Sequence, residues 1–279
     1  MILAEQADVT LSVAGRVVAR RIRAIEEYYR TLPRRILLIH GYNSSETQSG
    51  QAMRGFRASL AECFGPLLDE TFTATWPGKG PTSALEYPWT IKYARAAGRT
   101  LFREIRTRYG AAGPGELVLV AHSLGCRVVL EALRRVARTG RPPGLQRLTV
   151  VLMAPAVPVE MVQATGTLAA ALSVADDMKI LHSRADLALS MPFRLGQTLA
   201  REGWFPEAVG LHGSPLESAK RQDLYPARHN HYWRSREAAV AVCRTMGVPV
   251  TAAALAGSLA IAPELPLAPA AISPELPIR

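Results

Sequence analysis

Glu116 to Leu133 read ELVLVAHSLGCRVVLEAL. Leu117 to Ala121 form an unbroken, partly β-branched apolar run, the pattern of a strand buried on both faces of a parallel sheet. Beyond it Val128, Val129, Ala132, Leu133 and Val136 recur at helical spacing. The strand therefore turns into a helix with almost no loop, and Ser123 occupies the turn. So sharp a reversal puts its central residue in a strained backbone conformation, and the small neighbours Ala121 and Gly125 let strand and helix approach closely. The Ser123 hydroxyl then stands clear of the sheet. The helix beginning near Leu124 turns its free N–H groups and positive dipole end toward that spot, where a developing anion would be stabilised.

Ala121-His122-Ser123-Leu124-Gly125 resembles the nucleophile elbow of the α/β-hydrolase superfamily, whose small-x-Ser-x-Gly pattern joins a buried strand to an amphipathic helix. The pentapeptide alone is weak, because a serine also caps ordinary helices; its strand-to-helix setting carries the resemblance. A second segment agrees with it. Residues 36–45, ILLIHGYNSS, read as a buried strand followed by a bend at Gly41, and the superfamily commonly carries His-Gly there. The resemblance implies that the N–H groups of Tyr42 and Leu124 form an oxyanion hole. His40, Gly41 and His122 stand beside this site in sequence. Trp76 ends the strand Phe72–Trp76, where α/β folds place ligands, so these four are the expected pocket residues.

An activated serine needs a base, and the base needs an orienting acid. The resemblance places the acid after the elbow and the histidine last. Asp186 follows the strand Met178–Ser183 in a short loop and is the expected acid, with a helix cap as its plain alternative. Asp176 and Asp177 precede that strand and so fall at its wrong end; Asp223 is a further competitor. His229 and His231 both precede a helix that begins near Ser235. His229 fits the superfamily's His-x-x-Tyr-Trp ending through Tyr232 and Trp233, whereas spacing alone leaves His231 open as the alternative base. Their separation of two residues is wrong for a helical metal pair, so neither a metal nor an organic cofactor is expected.

Elsewhere Met53, Phe56, Leu60 and Phe64 recur at helical spacing. Residues 89–109 form an Arg-rich helix, residues 148–155 a further strand, and helical residues follow to about Ala175. Five strands alternating with helices imply an α/β fold, a mostly parallel central sheet with helices on both faces. Trp76-Pro77, Tyr87 and the Arg-rich helix look like a little-characterised bacterial branch of the superfamily. Residues 1–35, with an apolar stripe at Val18, Ile22, Ile25, Tyr29 and Leu32, are expected to pack on the core. Residues 36–249 would form the hydrolase domain, with 187–228 as a cap whose apolar members are Met191, Phe193, Trp204 and Phe205. Residues 250–279, rich in Ala and Pro, read as a tail.

Lys and Arg number 33 against 23 acids, a net charge of +10, and the excess is nearly all arginine. The arginines lie on several helices without interleaved aromatics, so no nucleic-acid partner is expected. Cys63, Cys126 and Cys243 show no metal spacing and leave an odd thiol, which fits a reducing, cytoplasmic setting. The N-terminus lacks a signal-peptide pattern, and no charge-free run reaches the ~20 residues of a membrane span. The resemblance thus implies a serine hydrolase taking a small carboxylic ester. Its rival is a silent relative that keeps the sheet and binds a ligand or protein.

Overall fold

In a computed structural model of the chain, the described residues are 9–10, 34–42, 46–64, 71–76, 87–111 and 115–250. Seven strands build one sheet: β1 (Val9–Thr10), β2 (Arg34–Ile39), β3 (Thr71–Thr75), β4 (Gly115–His122), β5 (Leu145–Met153), β6 (Asp177–His182) and β7 (Lys220–Asp223). Their order is β1-β3-β2-β4-β5-β6-β7, and every neighbouring pair is parallel. Ile36–Ile39, Leu117–Ala121 and Val150–Met153 are buried, as expected of central strands covered on both faces.

The five expected strands are all present, and β1 and β7 are additions. Lys220-Arg221-Gln222-Asp223 contains no apolar residue; β7 is a mostly exposed edge that exists through its backbone pairing with β6. Strand β2 also begins two residues before the expected boundary. Arg34 and Arg35 pair with Glu116 and Leu117 of β4, the Arg34 guanidinium donates to the Glu116 carboxylate at 2.8 Å, and Arg35 lies over the Tyr109 ring. The expected helix stripe of residues 18–32 and the tail from residue 251 lie outside the described residues.

From β2 the chain steps one way to β3, then crosses back past β2 to β4 and continues in that direction to β7. Right-handed crossovers therefore place the helix Glu46–Phe64 on one face and Tyr87–Ala111 on the other. The elbow helix Gly125–Thr139 packs beside Tyr87–Ala111, so closely that a Cβ on Gly98 would lie 2.6 Å from the Glu131 Cβ. The last helix, Arg236–Thr245, returns to the first face against Glu46–Phe64; Arg236 pairs with Glu62 at 3.6 Å, and the buried thiols of Cys63 and Cys243 share a hydrogen bond. Between β5 and β6 there are only two four-residue helices, Val159–Val162 and Ala169–Leu172. The chain reverses between them at Gly166, where a Cβ would meet the Met161 carbonyl oxygen at 2.3 Å.

Because the connections leaving β2 and β4 diverge, a crevice opens at the carboxyl ends of these two neighbours, the place where open α/β sheets bind ligands. His40-Gly41-Tyr42 and Ser123 both lie there. At the opposite, amino ends of the strands Arg147 pairs with Asp177 (2.8 Å) and Arg141 with Asp176 (2.9 Å), which keeps both acids away from the crevice. No helix among the described residues is long and apolar enough to cross a membrane.

Candidate active site

Ser123 has φ +54°, left-handed backbone that a non-glycine residue adopts only under constraint. The constraint is the close passage of the elbow beneath the end of β2. A Cβ on Gly125 would lie 2.3 Å from the His40 carbonyl oxygen and 2.8 Å from that of Ile39; one on Gly41 would lie 2.7 Å from the Ser123 Cβ. Gly125→Ala is therefore expected to destabilise the fold by about 2–3 kcal/mol, since backbone rather than a movable side chain would have to shift. Thermal denaturation checks this, and an unchanged melting temperature would contradict it.

A hydrogen-bonded chain of three side chains crosses the crevice. The Ser123 hydroxyl donates to His229 Nε2 at 2.8 Å, and His229 Nδ1–H donates to Asp186 Oδ2 at 2.7 Å. One imidazole tautomer satisfies both bonds. Asp186 is fully buried, and its other oxygen accepts the Leu189 N–H at 3.3 Å, so this carboxylate caps the turn Leu187–Leu189 while it holds the histidine. The helix cap and the contact with the histidine, alternatives in the sequence, coexist on two oxygens of one residue. His231 is exposed and accepts the Arg228 N–H through Nδ1, and Asp223 accepts from Tyr225 N. The Leu124 N–H, at the start of the elbow helix, has no acceptor among the described residues.

Three of the four expected pocket residues are buried structure. His40 donates from Nδ1 to the Gly41 carbonyl and accepts the Trp76 N–H at Nε2, while the Trp76 indole N–H donates to the His40 carbonyl at 2.8 Å. Their rings stack at 5.7 Å, so the pair clamps the end of β2 to that of β3. His122, also buried, donates from Nε2 to the His229 backbone carbonyl at 2.7 Å and packs between the rings of His229, Tyr232 and Trp233. Trp233 packs in turn edge-on against Phe56. The His-x-x-Tyr-Trp segment thus anchors the histidine loop in the core. Gly41, the fourth, packs its backbone directly against the Ser123 side chain.

Burial, and then the neighbouring His229, hold the His122 imidazole well below its ordinary value of 6.5. His182, also largely through burial, is shifted the same way. The unfolded chain takes up these protons near pH 6.5 while the folded one does not, so stability is complete above that pH and is lost as pH falls below it. The melting temperature is expected to drop on acidification through this range, less steeply in His122→Gln. A variant with the wild-type slope would refute the His122 contribution.

The expected cap segment is fastened by polar contacts that periodicity does not reveal. Gln197 donates to the Tyr87 hydroxyl at 3.0 Å, a Cβ on Gly196 would press on the Tyr87 ring, and that ring meets Tyr42 edge-on at 5.5 Å. The helix Met191–Leu199 is thereby coupled to the loop that follows β2. The Glu202 carboxylate is buried beside Arg127 (2.9 Å) and also binds Arg95. Of the four apolar residues expected over the site, only Phe193 is buried in the core; Met191 and Trp204 point outward, and Phe205 is half-buried against Trp204. Spacing alone offers only Arg127-x-x-x-Glu131, which reads as an ordinary surface pair.

A model of the family described as alpha/beta hydrolase of unknown function (DUF900) matches residues 26–217, more than half of the chain. The chain belongs to this alpha/beta-hydrolase family. The matched stretch of the hydrolase contains Ser123 and Asp186 and ends before His229. Among solved structures, the hydrolase is similar to a lipase-esterase related protein from Clostridium acetobutylicum, at 10% identity and TM-score 0.41, covering 77% of this chain and 96% of that one. It is also similar to a poly(3-hydroxybutyrate) depolymerase from Bordetella parapertussis, at 17% identity and TM-score 0.41, covering 81% and 86%. No curated protein sequence matches it.

Proposed function

We propose that this hydrolase cleaves a small carboxylic ester through an acyl-enzyme on Ser123. The observation that carries the reading is the continuous Ser123–His229–Asp186 hydrogen-bonded chain, which ends on a serine at positive φ packed against Gly41. In the first half-reaction Ser123 Oγ attacks the ester carbonyl carbon as His229 Nε2 takes the hydroxyl proton. Asp186 keeps the proton on Nδ1 and supports the imidazolium's charge. The tetrahedral oxyanion accepts hydrogen bonds from the N–H groups of Leu124 and Tyr42 at the positive end of the elbow helix. Collapse breaks the bond to the leaving oxygen, which receives the proton from His229, and an alcohol departs. A water, deprotonated by the same nitrogen, attacks the acyl carbon, releases the acid and returns Ser123.

Every side chain in this cycle is already within hydrogen-bond distance, so no rearrangement is required before attack. A fluorophosphonate probe, which traps activated serines, is expected to label the wild-type protein at Ser123 as identified by peptide mass. A folded protein that takes up no label would leave the sheet as a binding scaffold and overturn the proposal.

A further inference from the structure

The outer face of the segment after Asp186 is not used by the chemistry above. On the helix Met191–Leu199 the residues Met191, Leu195 and Leu199 follow one another at four-residue steps, and each leaves about half of its surface bare. Leu187, one step earlier, is 73% exposed, and Trp204, just past the helix, is 86% exposed. Exposed large apolar residues are usually scattered singly; a row of them marks a surface that meets something apolar.

The row is held rigidly. Its helix is clamped from below by Phe193 and by the Gln197–Tyr87 hydrogen bond. The turn that presents Trp204 is fixed by the Phe205 N–H to Thr198 Oγ1 (2.9 Å) and by buried Glu202 on Arg127, with Arg201 and Phe205 both at positive φ. Such a turn projects the indole outward by construction, not through looseness.

Charge selects the occupant. Between residues 184 and 206 both acids, Asp186 and Glu202, have buried carboxylates, whereas Arg184 and Arg201 are exposed. The next acid, Glu207, is paired with Arg194 at 3.0 Å. Leucines, a methionine and a tryptophan flanked by free arginines, on a chain of net charge +10, make a face complementary to anionic lipid. A two-fold pairing with a second copy would bring two faces of the same positive charge together.

We infer that this face docks the protein onto an anionic phospholipid surface, with Leu187, Met191, Leu195, Leu199 and Trp204 entering the headgroup–acyl boundary and Arg184 and Arg201 facing the phosphates. The inference does not depend on ester hydrolysis.

The test is co-sedimentation of the full chain with vesicles of phosphatidylcholine alone and of phosphatidylcholine mixed with phosphatidylglycerol. Wild type and Ser123→Ala are expected to bind the mixed vesicles equally, with a blue shift in emission that Trp204→Phe removes, and to bind neutral vesicles weakly. The double variant Leu195→Ser/Leu199→Ser, at two half-exposed positions of the row, is expected to partition at least about tenfold less while keeping its fold, as its melting curve reports, and its fluorophosphonate labelling. Folded wild type that stays in the supernatant, or binding that the double variant retains, would overturn the inference. So would a concentration-dependent dimer in sedimentation velocity that the double variant abolishes, which would assign the face to a second copy. Failure of labelling with intact vesicle binding would instead remove the hydrolase reading and leave this one standing.

Discussion

Ser123→Ala is expected to lower kcat for ester hydrolysis by on the order of 10⁴-fold or more, with KM changed little. The substitution removes only Oγ, and with it the atom that would carry the acyl group and the proton donor to His229 Nε2. Backbone geometry should survive, because the elbow is imposed by the approach of Gly125 to the His40 and Ile39 carbonyls rather than by the hydroxyl. What remains is polarisation of the carbonyl by the Leu124 and Tyr42 N–H groups, worth a small residual rate over water. Steady-state kinetics on a soluble short-chain ester, with a melting curve to show that the variant is folded, are the measurement. Undiminished turnover would mean that the nucleophile is elsewhere.

His229→Ala should cost nearly as much, again on the order of 10⁴-fold in kcat, while His231→Ala stays within about a few fold of wild type. The contrast is geometric. His229 lies between Ser123 and Asp186 with one tautomer serving both, and its carbonyl is pinned by His122, so imidazole and backbone are held at once. His231 is exposed and bonded locally to Arg228. Equal losses in the two variants would point to damage to the loop they share, and retained activity in His229→Ala would transfer the base to another residue.

The two segments that carry the reading of this chain are local in character. A continuous apolar run, a single serine and a helical stripe lie within one short stretch, and backbone sterics then dictate Ala121 and Gly125 around the turn; the same holds for the apolar strand ending at Gly41. Strand β7 was invisible because Lys220–Asp223 join the sheet through backbone hydrogen bonds alone, and a polar edge leaves no apolar pattern. The mutual clamp of His40 and Trp76 is hidden in the sequence for a related reason. Position at a strand's carboxyl end is readable, but whether a side chain faces the crevice or a partner 36 residues away is not.

Sequence by itself therefore determined the parallel α/β architecture, the elbow and the serine at its tip, because each follows from hydrophobic periodicity and steric need within a few residues. Only the tertiary structure decided that His229 rather than His231 meets that serine, that Asp186 both caps a turn and holds the imidazole, and that Arg127 and Glu202 are buried together. Those outcomes join groups brought from separate strands and loops, and the strength and direction of a polar contact depend on distance and burial, which no spacing along the chain encodes.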